Sequence, residues 1–261
     1  MVIIVIRDAI NSDKFSILRF CKDTFSWGDY IQDTWDYWLS EGNLFIIEKQ
    51  YPIATIHAFF SKNQVWIEGI RINSNFRRQG LASELIKHIE LLAKEKKTLS
   101  SFMLIDTKNL PSLSMAKNLN YKIFQTWNFY SLSPHINNNH KVQFGYVLNY
   151  TYTHFVKSWR WLVLDEETSL SLLKQNKIIF SDRFGDISTA IMTDSEHFDK
   201  TLIVTLFSGS QNNTLDLISY IQNHAAENNY KKIQILTKEK LPFLHTLEHK
   251  ITFNLMQKFL H

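Results

Sequence analysis

A change of hydrophobic period in the first half of the chain constrains its fold most. Three runs rich in β-branched and aromatic residues, at 43–48, 53–60 and 65–72, are separated by short polar connections, a pattern that predicts an antiparallel meander. From Ala82 to Lys96 the apolar residues instead fall on one face at helical spacing. The sequence therefore predicts a strand that leads through a turn directly into an amphipathic helix.

The flanking segments extend this pattern to a mixed fold. A strand at 2–6, two helices between 13 and 39, a strand at 102–105, a short helix after Pro111 and a strand at 121–130 surround the meander. This order is typical of an α+β or α/β fold in which one sheet carries helices on both faces. The polar segment 133–139 reads as a linker, so we expect one domain at 1–133 and a second at 134–261.

The second domain is expected to be a smaller α/β unit and a degenerate copy of the first. Its predicted elements are a strand at 200–207, a helix at 214–227 capped by Thr214, a strand at 232–237, a helix at 241–249 and a strand at 254–260. This order repeats that of residues 65–130, although the residues themselves differ. Because the connection at 208–213 contains no arginine, we expect no phosphate turn there, although its glycine and two serines could bind another anion.

Composition indicates a folded protein of a reducing compartment. The 261 residues are 44% hydrophobic and 21% charged, values typical of a globular chain. A net charge of +4 from scattered basic residues is too small to predict nucleic-acid binding. The apolar runs are too short for a signal peptide or a membrane span. A single cysteine, Cys21, allows no internal disulfide, so we expect a cytoplasmic protein. We also expect no membrane partner and no metal site.

The turn before the long helix has the composition of an anion site. It carries Arg77, Arg78 and Gly80 in the pattern Arg-x-x-Gly-x-Ala, which ends at Ala82. Amide N–H groups at a helix start lack intrahelical partners and carry partial positive charge, and glycine allows a phosphate to approach the main chain. Taken alone, the pattern also fits an ordinary exposed basic turn.

A second segment strengthens the first. Asn109 comes 29 residues after Gly80 (109 − 80) and is followed by Ser112 and by the run Leu119-Asn120-Tyr121. Together the two segments resemble the two halves of the acetyl-CoA site in the GCN5-related N-acetyltransferase (GNAT) superfamily, over residues 2–130. The resemblance implies a GNAT-type mixed sheet flanked by helices and acetyl transfer from acetyl-CoA, as cosubstrate, to an amine.

The sequence departs from the pattern of that superfamily in two respects. Asn120-Tyr121 stands where Gly-Phe is usual, a change that the turn tolerates because asparagine visits the left-handed region. Ala116 stands where many members carry a tyrosine thought to protonate the leaving thiolate. The chain must therefore release CoA with another acid, with water, or without a dedicated acid.

The resemblance also implies which residues would bind acetyl-CoA, from their positions in the two motifs. The backbone of Ile70, Arg71 and Ile72 would line the acetyl-pantetheine arm. Asn109, a catalytic candidate as well, and Ser112 would contact the pantetheine or its thiol end. The pyrophosphate would be held by Arg77, Arg78, Gln79, Gly80, Leu81, Ala82 and Ser83.

Two neighbouring residues of the third meander strand are candidates for the chemistry. Gly69 interrupts an apolar strand and predicts a bulge, which in this family directs an N–H at the thioester carbonyl. Glu68 is the leading candidate for the base that deprotonates the acceptor amine, although a solvated or salt-bridged carboxylate is the alternative. His57 is a second candidate base, for which a structural histidine is the alternative.

The acceptor side is expected between the first two helices. Asp29, Tyr30 and Trp35, with Arg71, are the candidates for binding a cationic or aromatic amine through charge and cation–π contact. The alternative is that the tryptophans belong to the core and the aspartates to a solvated face. Arg71 would bind a substrate carboxylate or pair structurally with an acid.

A narrower resemblance concerns the substrate. Residues 66–72 together with the block 28–38 look similar to the histidine N-acetyltransferase-like group, whose members carry an extra C-terminal domain. It implies a small-molecule amine acceptor, such as the amino acid histidine. A protein N-terminal or lysine acetyltransferase, and a catalytically inactive CoA-binding module, remain the alternatives. Cys21 has no partner that marks it as a nucleophile, so we expect direct transfer in a ternary complex.

Overall fold

The chain folds as two compact units. The computed structural model describes residues 4–22, 24, 29–136, 140–145, 152–183, 185–242 and 244–260. Unit 1 comprises Met1–Phe124 and Leu255–His261, and unit 2 comprises Gln125–Asn254. The predicted division at 133/134 differs from this one, since the first segment of unit 1 stops at Phe124 and residues 255–261 also belong to unit 1. In the part of the chain just listed by its ranges, no helix is long and apolar enough to cross a membrane.

Unit 1 contains the predicted meander and helices. Its elements are β1 (Val5–Asp8), α1 (Lys14–Cys21), α2 (Ile31–Glu41), β2 (Leu44–Glu48), β3 (Pro52–Ser61), β4 (Gln64–Ile72), α3 (Leu81–Glu95), β5 (Ser100–Asp106), α4 (Leu110–Asn118) and the first residues of β6 (Lys122–Leu132). β1 to β4 pair antiparallel in sequence order, and β5 joins β4 in parallel. The predicted strand at 2–6 is confirmed only in part, because β1 continues to Asp8 and residues 1–3 lie outside the described ranges.

Helices cover both faces of the sheet in unit 1, as the sequence predicted. Alternate residues of a strand point to opposite faces. In β2, Phe45 and Ile47 join the core under α3 and α4, whereas Leu44 and Ile46 join a separate cluster with α1 and α2. The fold is thus a mixed sheet flanked by helices.

Unit 2 repeats much of this order. It contains the rest of β6 and then β7 (Gln143–Phe144), β8 (His154–Lys157), β9 (Arg160–Val163), α5 (Glu166–Lys174), β10 (Ile178–Ser181), β11 (Ser188–Asp194), β12 (Thr201–Phe207), α6 (Gln211–Glu227), β13 (Lys232–Thr237) and the first part of β14 (Leu247–Phe259). Strands β10, β11 and β12 pair antiparallel, and β12 pairs in parallel with β13 through α6. Strands β10 to β13 therefore pair with one another in the same way as strands β2 to β5 of unit 1.

Two predicted elements of unit 2 need correction. The helix predicted at 241–249 is wrong, because the described residues before β14 form no helix and residues 247–249 already belong to that strand. Leu241, Leu244 and Leu247 have helical spacing because this connection packs them against the core of unit 2. The predicted cap Thr214 is also wrong: Ser210 caps α6 by accepting a hydrogen bond from the Asn213 amide at 3.3 Å.

The end of the chain completes unit 1. Strand β14 lies beside β5, and the Leu260 amide donates to the Leu99 carbonyl at 2.9 Å. Met256 and Leu260 are buried in the same core as α3 and α4. Lys258 forms an ion pair of 2.7 Å with Glu90 of α3. The sheet of unit 1 thus depends on residues that follow unit 2 in the sequence.

Candidate functional site

Strands β4 and β5 separate in the middle of unit 1. Their parallel pairing ends at Ile67 and Met103, although β4 continues to Ile72 and β5 to Asp106. The backbone of residues 68–72 on the β5 side is therefore not used by the β4–β5 ladder. A main chain opened in this way offers hydrogen-bonding groups to an extended ligand.

A bulge at Gly69 marks the point of separation, as the sequence predicted. Thr55 lies opposite Arg71 and His57 opposite Glu68, so two residues of β4 face only Ile56 of β3. Gly69 has a φ of +66°, in the left-handed region that favours glycine. The bulge changes the direction of the N–H groups on this stretch of β4.

The turn from β4 into α3 leaves its amides available. Arg78 and Gly80 both have left-handed φ values, +60° and +81°. Within the described residues, no amide from 78 to 83 donates to a protein acceptor, and the first intrahelical bond runs from Glu84 N to Gly80 O at 3.1 Å. A Cβ at Gly80 would meet no atom within 4 Å. This junction is open and rich in donors, which is what binding of a diphosphate requires.

Basic side chains lie on the same turn. Arg77 Nε donates to the Ile72 carbonyl at 3.3 Å, which holds its guanidinium beside the end of β4. Arg77, Arg78 and Gln79 are exposed, whereas Leu81 is buried in the core and anchors the first turn of α3. Ala82 and Ser83 are half-buried. Apart from Leu81, whose side chain is buried, the predicted pyrophosphate residues thus lie together on one open surface.

The second predicted segment forms the start of α4. The side chain of Asn109 caps this helix by accepting from the Ser112 amide at 3.2 Å, and Pro111 lies in its first turn. Asn120 has a φ of +68°, the left-handed conformation expected at this turn. Ala116 is fully buried in the core. Asn109 therefore caps helix α4, a structural role that the sequence motif alone does not predict.

Glu68 is held by a buried network. His57, directly opposite on β3, places Nδ1 2.9 Å from Glu68 Oε1 and Nε2 3.1 Å from the Gly42 carbonyl. Trp66 Nε1 donates to Glu68 Oε2 at 3.1 Å. The His57 side chain is fully buried, and that of Glu68 is 12% exposed. Glu68 is therefore not a solvated strand carboxylate.

The acceptor candidates Asp29 and Arg71 bind each other. Arg71 Nε and Nη2 donate to the two carboxylate oxygens of Asp29 at 2.6 and 3.0 Å, in the bidentate geometry that is strongest for this pair. Arg71 also lies 5.1 Å above the Tyr30 ring. Burial raises the pKa of the Tyr30 phenol, so it stays neutral near these charges. These three residues form one assembly beside β4.

Trp35 does not belong to the assembly of Asp29, Tyr30 and Arg71. It is fully buried in the cluster of α1 and α2 that contains Ile17, Cys21 and Trp38. A side chain without exposed surface contacts no ligand, so the prediction of Trp35 as an acceptor residue is corrected to a core position. Trp27, which belongs to the same sequence block, lies outside the described residues.

The corresponding junction in unit 2 is closed. β12 and β13 pair without a gap from Thr201–Lys232 to Leu206–Thr237, and β11–β12 pairing shows no shift in register. The Gly209 amide donates to Ser188 Oγ at 2.8 Å, and the Ser210 amide donates to the Asp186 carbonyl at 2.8 Å. A Cβ at Gly209 would collide with that carbonyl. Unit 2 uses internally the groups that unit 1 leaves open.

A separate cavity lies beside α1. Its volume is about 480 Å³, and it is lined by Ser16, Arg19, Phe20, Tyr51, Pro52, Asn73 and Asn75. It contains none of the residues predicted for the cosubstrate or the acceptor.

Comparison with known proteins agrees with this geometry. Residues 12–121 match the acetyltransferase (GNAT) family. A Thermoplasma acidophilum protein assigned as an acetyltransferase is similar in fold, with 15% identity, 98% of this chain and 99% of that chain covered and a TM-score of 0.67. A GCN5-related N-acetyltransferase from Sphaerobacter thermophilus has 10% identity, coverage of 98% and 96% and a TM-score of 0.65. None of the curated proteins compared matches the sequence.

Residues 12–121 thus match an acyltransferase family, the acetyltransferase (GNAT) family, over 110 of the 261 residues, and the fold and the open β4–α3 junction agree with that match.

Proposed function

We propose that this protein is an acetyl-CoA-dependent N-acetyltransferase that acetylates the amine of a small molecule. The observation that carries the proposal is the coincidence, in one strand-turn-helix unit, of separated strands, a bulge at Gly69 and acceptor-free amides from 78 to 83. Unit 2 has the same strand order without these features, which supports the view that they serve binding rather than folding.

Acetyl-CoA fits the residues present. Six consecutive amides and two exposed arginines provide donors for a pyrophosphate, and the space next to Gly80 admits it. The backbone of Ile70, Arg71 and Ile72 would bind the pantetheine arm along the open edge of β4. The Asn109 amide N–H groups and the Ser112 hydroxyl would bind it from the start of α4. When bound, acetyl-CoA supplies the acetyl thioester.

Glu68 is proposed as the base. Its position beside the bulge allows it to take a proton from the acceptor ammonium, because only a neutral amine has the lone pair for attack. An N–H group of the bulge would donate to the developing oxyanion, an interaction that contributes about 3 to 4 kcal/mol in other enzymes. As the C–N bond forms, the C–S bond breaks and the thiolate leaves.

Transfer is proposed to be direct. The only thiol, Cys21, is buried, and burial raises its pKa to about 12, so it is a neutral thiol at physiological pH. A thiol in that state is a poor nucleophile. The single reduced cysteine is also in keeping with a cytoplasmic location, which we propose for this enzyme.

The acceptor is proposed to be an amino acid or a similar amine, with histidine as the first candidate. Asp29, Tyr30 and Arg71 are the groups that would contact it, and their positions beside the bulge support this. Because Asp29 already neutralises Arg71, binding of a substrate carboxylate would have to compete with that ion pair. An acceptor with a cationic or aromatic side chain and a weak dependence on its carboxylate is therefore favoured.

One experiment tests the function. Purified protein and acetyl-CoA are incubated with a panel of free amino acids, their amides and peptides with a free N-terminus or lysine, and CoA release is followed with a thiol reagent. Turnover with free amines and none with peptides is expected. Turnover with peptides alone would favour a protein acetyltransferase, and CoA binding without turnover would favour an inactive binding module.

Unit 2 is proposed to be a noncatalytic GNAT-like copy. The support is its matching strand pairing together with its closed β12–α6 junction. Replacement of Ser188 by Ala should change stability but not the affinity for CoA, which calorimetry would measure.

A further inference from the structure

Both ring nitrogens of His57 face hydrogen-bond acceptors. Nε2 is 3.1 Å from the Gly42 carbonyl, which has only lone pairs, so Nε2 carries a proton and donates it. A neutral imidazole then has a lone pair at Nδ1, 2.9 Å from Glu68 Oε1. A lone pair facing an ionised carboxylate at this distance is repulsive. The geometry therefore requires one proton between His57 and Glu68.

We propose that Glu68 and His57 act together as the base of acetyl transfer and share this single proton. His57 is a positioning residue, because it acts on the acceptor only through Glu68. The inference rests on the proposed function, in which Glu68 meets the acceptor amine. It adds that the group which must lose a proton before catalysis is the pair and not the carboxylate alone.

The His57 ring is packed against an indole and lies close to a second carboxylate. His57 stacks on Trp38 with 5.0 Å between ring centroids and an interplanar angle of 6°. Glu41, the last residue of α2, places Oε2 3.6 Å from His57 Nε2. The neighbour on β2 is Leu44, which carries no charge. The ring thus lies between two carboxylates, Glu41 and Glu68.

The other charged groups near Glu68 are already paired. Arg71 and Asp29 form their own ion pair at 2.6 Å, and the nearby Tyr30 phenol is kept neutral by burial, which raises its pKa. The charge on this part of β3 and β4 is therefore controlled mainly by Glu41, His57 and Glu68.

The proton balance of the reaction is satisfied. The pair first loses its shared proton to water and then accepts one from the acceptor ammonium. The amine attacks, the C–N bond forms and the C–S bond breaks, and the second proton of the nitrogen goes to the thiolate. One proton is released to water overall, as conversion of an ammonium and a thioester to an amide and a thiol requires.

Glu41 allows a test that leaves the base itself intact. Removing its charge should make the shared proton easier to lose, so the acidic limb of the kcat/KM profile should move to lower pH by about one unit in Glu41→Gln. The plateau should stay close to that of the wild type. Asp36→Asn, on the exposed side of the same helix, is the matched control and should leave the profile unchanged.

A second measurement needs no turnover. In protein labelled with ¹⁵N-histidine, both nitrogens of His57 should be protonated below the acidic limb, and one should lose its proton as pH rises through it. Glu68→Gln should move that event to lower pH. A His57 titration unaffected by Glu68→Gln overturns the shared proton whether or not any amine is acetylated.

These experiments distinguish a failure of the proposed function from a failure of the shared base. A wild-type protein that acetylates no amine in the panel overturns the proposed function. An active enzyme whose acidic limb is the same in Glu41→Gln as in the wild type overturns only the shared base. His57→Gln, if it folds, should also show the limb at lower pH with a kcat reduced at least tenfold.

Discussion

Trp38 of α2 lies directly against the main chain of Gly69. A Cβ at residue 69 would be 2.5 Å from Cζ3 of Trp38 and 2.6 Å from its Cη2. The same indole stacks on His57, so one side chain contacts both the bulge and the partner of Glu68. The position of α2 is thereby coupled to the geometry of the candidate catalytic strand.

Gly69→Ala should therefore be strongly destabilising. A left-handed φ costs a non-glycine residue about 1–2 kcal/mol, and overpacking against Trp38 adds about 1–3 kcal/mol. Gly185→Ala is the matched control, because Gly185 has a φ of +74° and a Cβ added there would meet no atom within 4 Å. Denaturant unfolding measures both. Equal losses of stability in the two variants would show that Trp38 does not constrain the bulge.

Gly80→Val should weaken CoA binding at least tenfold. Its side chain would occupy the open space where the diphosphate approaches the amides of the turn, and its φ of +81° adds strain. Gly185→Val shares the left-handed φ and the open surroundings, but it lies in unit 2. Isothermal calorimetry with CoA distinguishes the two variants. If Gly80→Val binds CoA as tightly as the wild type, the proposed phosphate site is wrong.

Cys21 should be unreactive and dispensable for turnover. Burial, with a contribution from Asp29, raises its pKa to about 12, so its thiolate is scarce at pH 8. We expect slow labelling by a thiol reagent in the native protein and fast labelling in denaturant. Cys21→Ser should retain kcat with some loss of stability, since it places a hydroxyl in an apolar cluster. Loss of activity in a folded Cys21→Ser variant would contradict direct transfer.

Deletion of residues 255–261 should destabilise unit 1. It removes Met256 and Leu260 from the core, and burial of such side chains contributes about 1.5–3 kcal/mol each. Lys258→Gln tests the ion pair with Glu90, whose side chain is only 10% exposed. Lys250→Gln, in the same strand but paired with the exposed Glu248, is the control and should have little effect. Thermal unfolding that is unchanged by the deletion would show that unit 1 is complete without it.

Local patterns explain most of what the sequence could predict. The meander β2–β4, helix α3 and the bulge at Gly69 follow from alternation, helical spacing and one glycine within a strand. The open turn at Gly80 follows from residues that are adjacent in the chain. All of these features depend on interactions between near neighbours.

Long-range contacts explain what the sequence could not predict. Arg71 meets Asp29 only because the loop before α2 returns to β4, and this pairing has no local signature. The burial of Trp35 was one of two interpretations that its spacing allowed. Strand β14 was predicted too short, because helical spacing in the preceding connection suggested a helix at residues that pack as a turn. The sequence did not predict that Glu41 lies near His57, because this contact depends on where helix α2 ends.

The position of β14 beside β5 has a consequence for biosynthesis. Residues 255–260 follow the end of β5 by almost 150 residues in the sequence (255 − 106 = 149). Because domains generally fold as units during synthesis, the sheet of unit 1 cannot be completed until all of unit 2 has been made. A nascent chain stalled before residue 255 would lack the ion pair between Glu90 and Lys258.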